Sequence, residues 1–379
     1  MKRISPRKKI RLIKRVRRIE RSRSRRVTTS KIAHSSKIAR LKVARLKFED
    51  QLSVVGIVEG VKKKVPRYGN RKVFEFPAQM DFEDNYNDTV SMLLKLRELE
   101  KFQFAKRPFY LEFEKLNSIS PGALLVLAAE LDCLYRLWSD SRKKPISADS
   151  DRWDAGITAL FSDFGIFDLI NAAPVIAYTY GESLRAVKFR RGETQDGSVA
   201  DALIKDIVEV SEKAPSERAR LYEGLGEALA NTLDHAYPNP YVSYPSTRIK
   251  AWWAGAIYDE TSNITHFMVY DRGIGLPARI PVRNHEWYSE IFKRLTGKQD
   301  EDAELIWAAI RSPRSGTMLD HRGEGLKQMA EVVDSHPGSD LRISSGQGLV
   351  SYFGADKKEL KSLNAPFTGT LVEWRIKHG

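Results

Sequence analysis

Cysteine is almost absent from this sequence of 379 residues, since Cys133 is the single one. One cysteine cannot form an internal disulfide or a cluster of thiolate ligands, which excludes disulfide scaffolds and cysteine-based zinc modules. Long hydrophobic runs are missing as well, because no stretch approaches the roughly 18–20 apolar residues that cross a bilayer. We therefore expect a protein without a transmembrane segment, located in the reducing cytoplasm, with Cys133 buried among neighbouring leucines.

Acidic residues are nearly missing from the first 47 residues. Glu20 is the single acid there against 20 Lys and Arg, a formal charge of +19. The remainder carries 43 Lys and Arg against 48 Asp and Glu, a net charge of −5, so the total of +14 comes from the N-terminal segment. This segment also lacks the apolar stretch of a secretory signal. We interpret residues 1–50 as a basic tail that is partly helical or disordered.

Apolar residues recur at intervals of three within this tail, at Ile10, Ile13, Val16 and Ile19. The pattern favours a basic amphipathic helix, which can neutralise the phosphates of a nucleic acid or lie on an anionic membrane surface. A solvated tail without a partner is an equal alternative. Binding of nucleic acid through residues 1–47 would be sensitive to salt concentration.

Strand and helix patterns alternate from about residue 70 onward. Apolar residues at Phe109, Leu111 and Phe113 alternate with other residues, which predicts a half-buried strand. Ser120 followed by Pro121 predicts the start of a Leu-rich helix, because serine favours the N-cap and proline the first helical position. We expect a small α/β domain at residues 70–172.

The order of these elements resembles the STAS fold of anti-sigma-factor antagonists. The features in common are a Ser-containing loop, the Leu-rich helix after it and a Phe-Gly-Ile-Phe segment. That family usually has Asp-Ser-Ser-Gly in the loop, with a phosphorylatable serine. Here the loop has Ser118 and Ser120 without the acid, so phosphorylation of either serine is left open. The resemblance implies a protein partner, bound through the surface of this domain or through a lid in the domain that follows.

A second domain is predicted at residues 180–379. Its first helix has a buried side marked by leucines at every fourth position, Leu221, Leu225, Leu229 and Leu233. Two apolar strands flank turn residues at 260–263 and predict a β-hairpin. Two further helices and two closing strands follow. An α+β fold with an antiparallel sheet and helices gathered on one face is the expected architecture.

Two groups of residues, one on the first helix and one directly after the hairpin, are of types that could take part in catalysis or ligand binding. Glu227 and Asn231 are four positions apart, which puts them on one face of the helix. A carboxylate can accept a proton from water, and an amide oxygen is a hard ligand suited to Mg²⁺. Asp271, Gly273 and Gly275 alternate directly after an apolar strand, which is typical either of a turn or of a loop that approaches a ligand closely.

Two more groups lie further along the chain. Gly323, Gly325 and Leu326 precede an amphipathic helix, where free backbone N–H groups and the positive end of the helix dipole favour phosphate. Thr370 opens the last predicted strand and indicates nothing by itself.

Together, the order and spacing of the four groups resemble the GHKL ATPase family, which includes DNA gyrase, MutL and the histidine kinases. The resemblance covers about residues 203–379. It implies a Bergerat-type α/β sandwich, with a mixed, mainly antiparallel sheet and helices on one face. It also implies ATP and Mg²⁺ as ligands, and an ATP lid at residues 278–322.

The resemblance further implies a role for each residue. Glu227 would be the general base and Asn231 the ligand of Mg²⁺. Asp271 would accept a hydrogen bond from the exocyclic amine of adenine, while Gly273 and Gly275 would shape the floor of the pocket.

For the remaining residues, the resemblance implies that Gly323, Gly325 and the N–H of Leu326 bind phosphates and that Thr370 helps to fix the base. The expected function is a Mg-ATP-dependent regulatory switch with ATPase or protein-serine kinase activity. A non-catalytic ATP sensor and a nucleic-acid-binding effector regulated by ATP are the alternatives.

Overall fold

The computed structural model describes residues 72–100, 109–139, 146–147, 150–170, 184–194, 197–237, 249–283, 302–311 and 325–379. The predicted basic tail and most of the predicted lid lie outside the described residues. Pro66–Gly379 form one compact unit. Within the described ranges, no helix is long and apolar enough to cross a membrane.

The strands are β1 Lys72–Glu75, β2 Gln79–Met80, β3 Phe109–Glu112, β4 Ser118–Ile119, β5 Ile146–Ser147, β6 Leu184–Gly192, β7 Trp252–Asp259, β8 Ile264–Asp271, β9 Asp340–Tyr352 and β10 Lys358–Lys377. The helices are α1 Tyr86–Leu99, α2 Pro121–Ser139, α3 Ala155–Phe164, α4 Phe167–Ile170, α5 Ser198–Ser211, α6 Arg218–His235, α7 Leu276–Arg283, α8 Asp302–Arg311 and α9 Gly325–Asp334.

The first part of the compact unit contains short parallel strands joined through helices. β3 pairs in parallel with β1 and β5, and β2 pairs in parallel with β4. Parallel neighbours need a crossover connection, which α1 and α2 provide. Helix α2 begins at Pro121, as predicted, and contains Cys133, which is buried. Asp154 caps α3 by accepting hydrogen bonds from two backbone N–H groups, and Gly165 ends it in the left-handed conformation.

A larger sheet has the strand order β6-β7-β8-β10-β9. The predicted hairpin is confirmed, because β7 and β8 pair antiparallel and Asp259 lies opposite Ile264. Every described pair in this sheet is antiparallel, which differs from the mixed sheet that the resemblance implied. The physical reason is that β7–β8 and β9–β10 are joined by short connections, whereas parallel neighbours need a long crossover.

One face of the larger sheet carries the main core. Alternate residues of β7, such as Trp252, Ala254 and Ala256, pack in one buried cluster with residues of α5, α6, α8 and α9. Gly224 of α6 lies close to the helix beside it, because an added Cβ would be 2.6 Å from Cγ2 of Val332 in α9. The close approach of α6 and α9 fixes the position of the N-terminus of α9.

The opposite face of the sheet is also covered. An added Cβ at Gly255 of β7 would lie 2.7 Å from the ring of Phe164 in α3, and the indole N–H of Trp253 donates to Asp132 of α2 at 3.0 Å. The expectation of helices gathered on one face is therefore correct only for the helices that follow β6. Seven of the eight residues of β7 are buried, which is the pattern of a strand covered on both sides.

The second covered face gives a stability prediction. Gly255→Ala should destabilise the fold by about 1–3 kcal/mol, because the added methyl group overlaps Phe164. Gly226→Ala is the matched control, since an added Cβ at this helical position meets nothing within 4 Å. It should stabilise the fold by about 0.5–1 kcal/mol, as alanine does in helices. Urea denaturation of both variants measures the effects. Equal stability would contradict the packing of α3 on β7.

Candidate functional site

Asp271 and Thr370 lie opposite each other at the ends of β8 and β10. Oδ1 of Asp271 accepts a hydrogen bond from the N–H of Gly273 at 2.7 Å, and Thr370 contributes hydrogen bonds from its side chain and backbone. Gly369 has a left-handed φ of +82°, and a side chain there would overlap the carbonyl of Asp271. The Asp271 carboxyl group is therefore held in one place.

The environment of Asp271 favours its protonated form. Burial raises its pKa to about 7, although the hydrogen bonds from Gly273 and Thr370 act in the opposite direction. A carboxylate has about four acceptor positions, so these donors leave acceptor capacity for a ligand. Such a buried, fixed acceptor suits recognition of a donor group on a bound molecule.

Ser345 of β9 holds this corner together and was not predicted. Its Oγ accepts from the N–H of Leu276 at 2.8 Å, donates to the carbonyl of Gly369 at 2.8 Å and lies 3.1 Å from Oγ1 of Thr370. An added Cβ at Gly275 would lie 3.0 Å from the same Oγ, which limits this position to a small residue. A Ser-Ser-Gly run within a strand is visible in the sequence, but no spacing rule connects it to Thr370.

The loop after β8 lies against the end of α6. The N–H of Ile274 donates to the carbonyl of Ala236 at 3.0 Å, and a side chain at Gly273 would overlap that carbonyl. The hydroxyl of Tyr237 accepts from the N–H of Arg272 at 3.0 Å and donates to the carbonyl of Ala251 at 2.6 Å. Tyr237 is a second residue that sequence reasoning missed, and it joins the loop to the start of β7.

Glu227 and Asn231 lie on the side of α6 that faces the start of α9. An added Cβ at Gly325 would lie 2.5 Å from Oε2 of Glu227 and 3.2 Å from Nδ2 of Asn231. Burial raises the pKa of Glu227, and the nearby Asp234 carboxylate raises it further. A helix leaves its first backbone N–H groups without partners inside the helix, so the start of α9 presents donors beside a carboxylate and an amide.

Gly323 and Leu326 are the other residues that the sequence predicted for phosphate binding. Gly323 lies outside the described residues. Leu326 is the second residue of α9 and packs, half-buried, against the main core. Among the residues that the structure describes, no group of three or more His, Cys, Asp or Glu side chains could hold a metal ion. A magnesium ion near Asn231 would therefore need oxygens from a bound ligand and from water.

Three of the four predicted groups of site residues either lie on helix α6 or contact it. Its side chains Glu227 and Asn231 contact the start of α9, and its end contacts the loop after Asp271, which pairs with Thr370. The arrangement combines a proton acceptor, helix N–H donors suited to an anion and a buried acceptor suited to a donor group. No protein-family model matches the chain, and no curated protein matches it in sequence.

Replacing Asp271 by Asn should alter stability in a pH-dependent way. The folded pKa is about 7 against an ordinary 3.8, so the folded state binds this proton more tightly than the unfolded chain. Its stabilising contribution is complete below about pH 4 and is lost as the pH rises to about 7. Asparagine has no proton to lose. Between pH 5 and 8, the stability difference should therefore shift by roughly 1–3 kcal/mol in favour of Asp271→Asn.

The measurement is urea denaturation of both proteins at several pH values. The comparison uses the difference between variant and wild type, so other titrating groups cancel to a first approximation. A difference that does not change with pH would contradict a buried, ionisable carboxyl group at Asp271.

Proposed function

We propose that this site binds Mg-ATP in the manner of the GHKL ATPases and that the protein is an ATP-dependent regulatory switch with ATPase or protein-serine kinase activity. The observation that carries the proposal is that a carboxylate, an amide and two glycine-containing segments meet at α6. Glu227 and Asn231 contact Gly325, while the loop after Asp271 contacts the end of the same helix. These residues are up to about 100 positions apart in sequence, and the resemblance to the GHKL ATPases implied that they share one site.

Recognition of adenine is assigned to Asp271. The exocyclic amine of adenine is a donor, whereas guanine has a carbonyl acceptor at the equivalent position. Above about pH 7, where the Asp271 carboxyl group is ionised, it can only accept hydrogen bonds, so it favours adenine and repels the guanine carbonyl. Thr370 and Ser345 hold the carboxylate and the adjoining strand in position.

Phosphate binding is assigned to the start of α9. Gly325 lies next to Glu227 and Asn231, and the absence of a side chain there leaves the space that an added Cβ would fill. The N–H groups and the positive end of the helix dipole favour phosphate oxygens. The amide oxygen of Asn231 would ligate Mg²⁺, which usually combines one or two protein ligands with phosphate oxygens and water. Gly323 and Leu326 are proposed to add backbone contacts.

Glu227 is the proposed general base. It would accept a proton from water in an ATPase, or from a serine hydroxyl in a protein kinase. Burial raises the pKa of Glu227, which increases its strength as a base while leaving it able to ionise. Bound Mg²⁺ would neutralise charge on the phosphates. Both activities use the same arrangement of residues, and they differ in whether water or a serine hydroxyl receives the phosphoryl group.

Incubation with Mg²⁺ and γ-labelled ATP tests this proposal. Glu227→Gln should retain ATP binding but lose about 10²–10⁴-fold in turnover, because the proton acceptor is removed. Asp271→Ala should weaken ATP binding by about 10–100-fold, because the acceptor of the buried hydrogen bond from adenine is removed. Glu223→Gln, an exposed acid one turn before Glu227 on α6, is the matched control and should behave as wild type.

The products identify the activity. Label on a serine indicates a kinase, and free phosphate indicates an ATPase. Binding of ATP without turnover by the wild-type protein as well as by Glu227→Gln indicates a sensor. Absence of ATP binding by the wild-type protein, or full binding by Asp271→Ala, would contradict the site.

A further inference from the structure

A buried ionic cluster lies behind the end of β8. Arg272, which directly follows Asp271, is 1% exposed. Its guanidinium group forms an ion pair with Glu100, just after α1, and lies 3.0 Å from Glu130 of α2. Arg97 of α1 also forms an ion pair with Glu130. Four charged groups from three elements therefore meet on the face of the sheet opposite to α6.

The cluster contacts both strands that carry the candidate adenine corner. The hydroxyl of Tyr270 accepts from Nη2 of Arg97 at 3.0 Å and donates to the carbonyl of Thr368 in β10 at 3.0 Å. On the other side of the chain, the N–H of Arg272 donates to Tyr237. The residues immediately before and after Asp271 are thus fixed by contacts with the α1–α2 layer.

We propose that Arg272 is a positioning residue for Asp271 and that α1 and α2 thereby set the affinity of the site for adenine nucleotides. The inference rests on the proposed function, because it assigns the regulation of the same site. Side chains alternate along a strand, so a displacement of Arg272 by the α1–α2 layer moves the Asp271 carboxylate on the other face. Coupling between two sites is reciprocal, so bound nucleotide should in turn stabilise the α1–α2 arrangement.

The charged composition of the cluster fits a role in positioning Asp271 better than a role in stabilising the fold. Replacement of a buried ion pair by apolar residues of similar size is often neutral or stabilising, so such a cluster is weak evidence for stability. Guanidinium groups have a rigid fork of donors that fixes the direction of each contact. Burial raises the pKa of Glu100 to about 7 while Arg272 opposes the shift, so the charge of Glu100 depends on the position of Arg272.

Packing beside the cluster leaves room for adjustment. A small cavity lies between α1 and the strands, lined by apolar residues such as Leu93, Val126 and Phe367 and by Arg97 and Glu130 of the cluster. Nη1 of Arg97 and Nε of Arg272 are buried and have no hydrogen-bond partner among the described residues. These gaps in packing and hydrogen bonding lie on the side of the cluster where α1 meets β8 and β10.

The test compares Arg272→Met with Arg272→Lys and Glu100→Gln. Arg185→Met is the matched control, because Arg185 lies in the same sheet and forms a more exposed ion pair with Glu260. Two quantities are measured: amide hydrogen exchange at residues 270–273 and 368–371 without nucleotide, and the Kd for ATP and for GTP.

We expect Arg272→Met to accelerate exchange at these residues and to weaken ATP binding by about tenfold, with little change for GTP. The preference for adenine should therefore fall. Arg272→Lys keeps the charge but cannot contact both carboxylates in the same way, so it should restore part of the affinity. Glu100→Gln should have a smaller effect in the same direction, and Arg185→Met should leave both quantities unchanged.

Each outcome decides the question. Unchanged exchange at residues 270–273 in the folded variants overturns the positioning role, whatever the nucleotide result. Equal loss of ATP and GTP affinity with faster exchange throughout the fold also overturns it, because that is general destabilisation. If the wild-type protein binds no ATP, the proposed function is wrong, while the exchange data still decide whether Arg272 positions Asp271. If Arg272→Met does not fold, Arg272→Lys and Glu100→Gln give the answer.

Discussion

The antiparallel pairing of β8 with β10 is the contact on which the rest of the site depends. It puts Thr370 opposite Asp271 and brings Thr368 within reach of Tyr270. Because side chains alternate along a strand, one face of this pair carries the buried carboxylate and the other carries the ionic cluster of Arg272. A shift of register by one residue would exchange the two faces. The sheet is covered on both sides, so both sets of polar groups are largely removed from water.

Burial of these polar groups lowers the stability of the folded state, and apolar contacts elsewhere in the fold compensate for this loss. Burial raises the pKa of Asp271 and Glu100 to about 7, which shows that their charged forms are disfavoured where they lie. Burial of the large apolar cluster around Trp252 and Trp374 offsets the free-energy cost of burying these ionisable groups. Groups that are costly to bury and have defined partners often mark functional sites, because evolution keeps them for recognition or chemistry. The proposed adenine corner and its positioning residue fit this description.

Local patterns predicted much of the fold. Periodicity predicted α6 and the β7–β8 hairpin, and the Ser-Pro pair predicted the start of α2 at Pro121. Spacing on α6 put Glu227 and Asn231 together, but it could not predict the contact of Arg272 with Glu130, which are 142 positions apart. The roles of Ser345 and Tyr237 depend on similar long-range contacts. The length of β10 was underestimated, because half of residues 358–367 are polar and Pro366 interrupts the pattern, whereas this segment pairs with β9 as a hairpin.

The most direct test of the account is a crystal structure of the protein with Mg²⁺ and a non-hydrolysable ATP analogue. We expect the exocyclic amine of adenine at hydrogen-bond distance, about 2.7–3.2 Å, from the Asp271 carboxylate. We expect the phosphates at the N-terminus of α9, with Mg²⁺ beside Asn231. A nucleotide bound elsewhere, or one whose base is turned away from Asp271, would contradict the account.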